Sequence, residues 1–288
     1  MIRLMDYRDG DTRAAVVRSD AGGGMGGGLA FASSYELAFG YADSGLTWAD
    51  YLGKQPARTP EWAEAGGGRR APGTVPFLPD TPSMAAVYSF GYTHASVNGK
   101  PVEKGGLDFY YKGPGSLLLA DGDRLTGSSW LSGGGLEVEY CAIYCIDTAG
   151  EAVYLGYTLA NDFSDAGLRT AHRNLANLSK LHPSVLSSEV ILGDLPASSQ
   201  VSASIERDGA VAWQRTGTLG RQAMIYPRRL LERLLLGPRN IFQPGMIVYL
   251  LLGTSISSHK DGFELRDADS ITIQDHGAGL ALRNDFFN

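Results

Sequence analysis

The sequence predicts a mainly β protein with some α, a folded-over β-sheet or barrel-like β-roll led by a small N-terminal α+β domain. Three observations point there. Short runs of aromatic and β-branched residues recur between turn residues along most of the chain. Glycine is abundant, at 38 of 288 residues, as a turn-rich β architecture requires. Only a few stretches carry a helical period. The segment 54–76 is rich in Pro, Gly and Arg and reads as a linker, which gives a leading domain of 1–75 and a main domain of 76–288.

Taken in order, residues 1–19 alternate as strands do, around a turn at Asp9-Gly10-Asp11. Ala21 to Gly28 is glycine-rich but has no Lys-Ser/Thr of a phosphate loop, so it reads as a hairpin tip. Ser34 to Ala38, after a Ser cap, and Trp48 to Leu52 read as short helices. Ala85 to Phe90 and Phe109 to Gly113 are strands that enter loops, and Leu168 to Leu178 is compatible with a helix. Further strands are expected at Ser202–Ile205, Val211–Trp213, Met246–Leu252 and Ser270–Gln274. Pro227 to Leu236 fits one amphipathic helix, with Leu230, Leu231, Leu234 and Leu235 as its core stripe and Arg228, Arg229, Glu232 and Arg233 opposite.

Composition narrows the function. Apolar content of 43% and charged content of 19% belong to an ordinary globular protein. The net charge is −6 with no block of like charges, which argues against nucleic acid or a membrane surface as partner. No apolar run approaches the ~18 residues of a membrane span, and the charged N-terminus lacks a signal-peptide core. Cys141 and Cys145 are four apart on one expected strand, about 13 Å and too far to bridge. They read as small buried hydrophobes in a reducing, cytoplasmic compartment.

The chemistry concentrates between Glu137 and Asp162, where two strand-like runs flank the turn Asp147–Glu151. Glu137 and Glu139 are two apart, so a strand points both carboxylates to one face. Asp162 follows the second run, at the rim. By spacing alone a wet edge strand, with Asp162 as a turn residue, is the plainer reading, since like charges on one face usually sit in water. Cys141, Ile143 and Cys145 continue the same face, however, and read as buried. Carboxylates entering a buried face need a cation, and three hard oxygen ligands suit Mg²⁺, Mn²⁺ or Ca²⁺.

Several fragments together resemble the fumarylacetoacetate hydrolase superfamily. They are Glu137-Val-Glu139 through Gly156-Tyr-Thr-Leu-Ala-Asn-Asp162, Phe109-Tyr-Tyr-Lys112-Gly113, Ser179-Lys180-Leu181, Gly253-Thr254, and Gly277 to Asn284. They occur in the family's order across residues 85–288. Gly91-Tyr-Thr-His94 and Asn161-Asp-Phe-Ser-Asp165 are most similar to the branch of 2-keto-3-deoxy-arabonate dehydratase-like proteins, although Arg229 to Leu236 departs from it in having no histidine.

The resemblance implies a mixed β-roll of the family's C-terminal type, a homodimer, and a Mg²⁺ (or Mn²⁺, Ca²⁺) ion held by Glu137, Glu139 and Asp162. It implies a small-molecule 2-oxo acid substrate, with Lys180 and His94 as acid/base candidates and Lys112, Thr254 and Gly253 around the substrate. His172, His182, His259 and His276 have no ligand spacing and read as surface or structural. Dehydration of a 2-keto-3-deoxy sugar acid is the expected reaction. The alternatives are C–C hydrolysis of an acylpyruvate, decarboxylation, isomerisation, or binding without catalysis. Hydrolases of the family pair the loop histidine with a nearby Glu, whereas here no carboxylate follows His94 until Glu103.

Overall fold

Glu137–Ile146 and Ala152–Asn161 form the antiparallel hairpin that their alternation requires, and in the computed structural model this hairpin is the middle of the larger sheet. The structure describes residues 1–9, 12–19, 29–56, 74–103, 105–128, 131–238 and 241–288. The expected glycine-rich hairpin tip and most of the expected linker lie outside the described residues. The hairpin turn is closed by the Asp147 N–H donating to Glu151 O at 2.9 Å and the Gly150 N–H to Asp147 O at 3.0 Å.

The larger sheet runs, neighbour to neighbour, through Leu29–Phe31, Thr12–Ser19, Ile2–Asp9, Glu189–Ile191, Ala152–Asn161, Glu137–Ile146, Ile247–Leu251, Ala85–Gly91 and Asp108–Pro114. Along this path only Ile247–Leu251 and Ala85–Gly91 pair in parallel, which makes the sheet mixed. A second sheet contains Ala210–Leu219, Ser199–Arg207, Ser270–Asp275, Ala281–Phe287 and Leu125–Thr126 in that order. No helix among the described residues is long and apolar enough to cross a membrane.

Glu137–Ile146 is buried along its whole length because both of its faces are covered. Val138, Tyr140, Ala142, Tyr144 and Ile146 share one core with Val201, Ala203, Ile271 and Ile273 of the second sheet. Cys141, Ile143 and Cys145 share the other with Leu4, Leu37, Ala38 and Trp48 from the N-terminal elements. Both cysteines are free and buried. Each fully buried Ile, Leu or Val in these layers contributes roughly 1.5–3 kcal/mol relative to exposure. Gly156 lies where the Glu189–Ile191 strand crosses closely, and a Cβ there would overlap the Ile191 carbonyl oxygen.

The N-terminal helices are capped as their sequences suggest. Ser33 accepts from the Glu36 N–H ahead of Ser34–Ser44, and Thr47 from the Asp50 N–H ahead of Trp48–Gly53, each at 3.2 Å. Trp48 Nε1 then donates to Leu155 O at 2.7 Å, which docks the second helix on the central hairpin.

Two helical expectations are corrected. The stretch expected to be one helix over Leu168–Leu178 is a single α-helix, Ala166–Ala171, followed by separate 3₁₀ turns at Arg173–Leu175 and Leu178–Lys180. His172 leaves helical geometry there (φ −136, ψ 82), and Asn174 and Asn177 are weak helix formers that do not restore it. In the helix Arg228–Leu236, only Leu231 and Leu235 of the four-leucine stripe are buried, and Leu234 is 51% exposed. The helix presents one narrow i, i+4 ridge to the core instead of a broad face.

Candidate metal centre and its cleft

Backbone pairing at the open end of the central hairpin assembles the acidic cluster. Val138 pairs with Asn161, and one residue further the Asp162 N–H donates to Glu137 O at 2.9 Å. Asp162 is thereby carried alongside Glu137. Asn161 Oδ1 accepts from the Glu137 N–H at 3.2 Å and fixes the same junction. Glu137, Glu139 and Asp162 are 7%, 1% and 0% exposed, and one carboxylate oxygen from each lies within 4.8 Å of the others. At an effective dielectric of about 20, each ionised pair at that spacing repels by roughly 3 kcal/mol. Such a group needs cations.

Three side-chain cations are present. Lys180 Nζ donates to Glu137 Oε2 at 2.5 Å and to Asp162 Oδ2 at 2.6 Å. Lys112 Nζ forms an ion pair with Asp162 Oδ1 at 2.6 Å and donates to Phe163 O at 2.7 Å. Arg169 Nη2 donates to Glu137 Oε1 at 3.2 Å. Ser89 Oγ adds a neutral donor to Asp162 Oδ2 at 2.8 Å. Burial raises the proton affinity of Asp162, but Lys112 and Lys180 outweigh it and hold the carboxyl far below its ordinary range. Glu137 follows the same pattern, with Lys180 and Arg169 overcoming burial.

Glu139 is different. It has no ion-pair partner among the described residues, and its one hydrogen bond is from the Gly253 N–H at 2.7 Å. Burial, with Asp162 next, pushes its carboxyl well above the ordinary range. A buried carboxylate with an open oxygen, beside two others, is the donor set a hard divalent cation takes, so the residues present fit a Mg²⁺-type ion.

The backbone around Gly253 is committed to this task. Gly253 has φ +87°, and a Cβ there would overlap Thr93 Oγ1 and lie 2.7 Å from Phe90 O. The glycine lets the chain reach Glu139 from behind. Thr254 lines the cleft, and its hydroxyl accepts from the Ile256 N–H at 3.1 Å and lies within donating distance of Ile256 O (2.6 Å) and Val138 O (3.0 Å).

The cleft in front of the carboxylates is lined by Tyr92, Val97, Asp108, Tyr110, Thr254 and Lys260, together with Lys180 and Arg169. Asp108, Tyr110 and Lys112 alternate on the edge strand Asp108–Pro114, so all three face inward. The Tyr110 hydroxyl donates to Asp108 Oδ2 at 2.8 Å. Burial first, and then the Asp108 carboxylate, push the hydroxyl up to about 12, so it keeps its proton.

Of the residues singled out in the sequence, Glu137, Glu139, Asp162, Lys180, Lys112 and Gly253 meet in one cluster. Lys112 is 1% exposed and faces Asp162 and Phe163. His94 is 3% exposed and does not line the cleft. Thr93 Oγ1 directs its single proton to Leu252 O (2.5 Å) and therefore accepts from His94 Nδ1 (2.9 Å), which assigns the Nδ1–H tautomer. Burial pushes the imidazole down to about 4. Glu103 is exposed and lines a neighbouring groove, not this cleft.

Sequence reasoning passed over Ser89, Asp108, Tyr110 and Arg169. The period-two spacing Asp108-x-Tyr110-x-Lys112 was the available signal for two of them. Arg169 carries no such pattern, because it enters from a helix whose end was not legible.

No protein-family model matches the chain, and no curated protein matches it. Solved structures do share its fold. A 2-keto-3-deoxy-D-arabinonate dehydratase complexed with magnesium and 2,5-dioxopentanoate superposes with a TM-score of 0.71 at 16% identity, over 100% of this chain and 99% of that one. A 2-hydroxyhepta-2,4-diene-1,7-dioate isomerase from Mycobacterium marinum gives 0.64 at 16% identity, over 100% and 98%. A fumarylacetoacetate hydrolase from psychrophilic Exiguobacterium antarcticum gives 0.64 at 14% identity, over 100% and 99%.

Proposed function

We propose that this chain, which has the fold of the fumarylacetoacetate hydrolase superfamily, is a divalent-metal-dependent enzyme of 2-oxo acids, and specifically a dehydratase of a 2-keto-3-deoxy sugar acid. The observation that carries the reading is Glu139: buried, without an ion-pair partner among the described residues, and with a carboxylate oxygen within 4.8 Å of two further carboxylates. The magnesium complex of the dehydratase with the same fold supports the choice of ion and of substrate class.

When bound by Glu137, Glu139 and Asp162, the ion supplies Lewis acidity to the carboxylate and keto oxygens of a 2-oxo acid. The chain's own groups do the remaining work. Lys180 and Lys112 keep Glu137 and Asp162 ionised and fixed in place. Arg169 holds the outer oxygen of Glu137 and faces the cleft. Val97 and Tyr110 are buried and bring apolar surface to the cleft, which strengthens the charges beside them.

Elimination fits these residues better than hydrolysis. Attack by water on an acyl carbon calls for an imidazole paired with a carboxylate at the cleft. His94 is enclosed and paired to Thr93, and Glu103 is exposed and does not line the cleft. β-Elimination needs a base at C3 and a proton for the departing hydroxyl, with no activated water.

The test is to supply Mg²⁺ with 3-deoxy-2-keto sugar acids and, separately, with acylpyruvates, and to follow products by NMR. Loss of water from the former supports the proposal. Cleavage of acylpyruvates to two acids, with no elimination from the sugar acids, would overturn it.

A further inference from the structure

A dehydratase of 2-oxo acids must remove a proton from C3, and the groups nearest the carboxylate cluster are poorly placed to receive it. Lys180 directs two of its N–H bonds at Glu137 and Asp162. Lys112 is buried behind Asp162 and does not line the cleft. His94 does not line it either. Glu137, Glu139 and Asp162 are the ion's own donors.

Among the described residues lining the cleft, one further carboxylate remains, Asp108. It is partly exposed, so it can meet a substrate, and it faces the same cleft as the ion's donors. Its Oδ2 accepts from the Tyr110 hydroxyl at 2.8 Å, and Tyr110 is itself 4% exposed and immobilised by packing. This single hydrogen bond fixes the carboxylate's orientation and leaves Oδ1 for another partner.

The opposite strand accommodates the arrangement. Gly91 stands across from Asp108 in the pairing of Ala85–Gly91 with Asp108–Pro114, and a Cβ there would press on Asp108 Cβ at 3.3 Å and Tyr110 Cε2 at 3.5 Å. Any side chain at Gly91 would fill the approach to the pair.

We infer that Asp108 is the base that takes the C3 proton of the bound 2-oxo acid, and that Tyr110 is its positioning residue; the inference rests on the 2-oxo acid reading above. The C3–H bond breaks, the proton passes to an Asp108 carboxylate oxygen, and the bonding pair becomes the C2=C3 bond of an enolate with its charge on the 2-oxygen. In the full elimination that pair moves on to form the C3=C4 bond. The C4 hydroxyl departs as that bond forms and takes up the proton held by Asp108, so that it leaves as water and the Asp108 carboxylate is restored.

The test separates binding from proton transfer. Oxalate binding in the presence of Mg²⁺ is measured by calorimetry, and exchange of the pyruvate methyl protons in D₂O by ¹H NMR. Wild-type protein is expected to bind oxalate and to exchange pyruvate. Asp108→Asn should retain oxalate affinity within about threefold and lose at least about 100-fold in exchange rate. Tyr110→Phe removes the hydrogen bond that orients the Asp108 carboxylate, so its exchange rate at saturating pyruvate should fall about tenfold while its oxalate affinity and its KM for pyruvate stay within about twofold of wild type.

Exchange at the wild-type rate in Asp108→Asn would overturn the inference, because another group would then be the base. So would loss of oxalate binding in step with exchange, which would make Asp108 a binding or structural residue. A wild-type protein that binds oxalate but exchanges no pyruvate protons also refutes it. If wild-type protein binds no oxalate with Mg²⁺, the 2-oxo acid reading itself fails and takes this inference with it.

Discussion

Replacing Lys180 with Met keeps an unbranched side chain one atom shorter and removes the charge between two buried carboxylates. Lys180 Nζ lies 2.5 Å from Glu137 and 2.6 Å from Asp162, with the side chain 3% exposed. Removing one partner of a buried ion pair costs about 3–5 kcal/mol, because the charge left behind is uncompensated. Here Glu137 keeps Arg169 and Asp162 keeps Lys112, so the lower end applies, about 3 kcal/mol. For a chain of this size that corresponds to a fall in Tm of roughly 6 °C.

A divalent ion held by these carboxylates would neutralise the same charges, so saturating Mg²⁺ should close most of the gap. The assay is thermal and urea denaturation of wild type and Lys180→Met, each in EDTA and in excess Mg²⁺. A variant as stable as wild type in EDTA would refute the electrostatic account of Lys180. Equal destabilisation with and without Mg²⁺ would refute the claim that lysine and ion share these carboxylates.

Gly253→Ala should unfold or melt well below wild type, since its Cβ would overlap Thr93 Oγ1 in a left-handed backbone; melting within 1–2 °C of wild type, roughly a 0.5 kcal/mol effect, would refute that packing argument. His94 is neutral in the folded protein down to about pH 4, whereas an unfolded histidine takes its proton near 6.5. Its contribution to stability is therefore complete above about pH 6.5 and is lost as pH falls towards 4, about 3 kcal/mol in all. His94→Asn, which keeps a donor to Thr93, should lose this part of the pH dependence in urea melts at pH 7, 5.5 and 4; a curve parallel to wild type would contradict it. Glu139→Gln should melt within a few degrees of wild type in EDTA, because burial already favours the neutral acid, and unaltered Mg²⁺ affinity in that variant would place the ion elsewhere.

Much of the acidic cluster was legible because strand geometry is local. Alternation alone puts Glu137 and Glu139 on one face, and the buried run Cys141, Ile143 and Cys145 marks that face as interior. Asp162 follows from hairpin register, one residue past the Val138–Asn161 pair. Lys180 was reached only by resemblance, since no local pattern ties a lysine in a short 3₁₀ turn to carboxylates 18 and 43 positions earlier.

The remainder depended on contacts between distant segments. Ser89 meets Asp162 across 73 positions, and Thr93, the partner that encloses His94, is fixed by Leu252 across 159. The family position of His94 could not show that burial. Asp108 and Tyr110 were within reach of the same period-two argument that found Glu137 and Glu139. They were passed over because Phe109 and Tyr111 between them made the run read as an aromatic strand.

The central claim is that Glu137, Glu139 and Asp162 hold one divalent ion that receives a 2-oxo acid. Calorimetric titration of EDTA-treated protein with Mg²⁺, and then with oxalate, tests it most directly. The expected result is one Mg²⁺ per chain, with oxalate binding that requires the ion and disappears in Glu139→Gln. No Mg²⁺ uptake, or oxalate binding of equal strength with and without Mg²⁺, would contradict it.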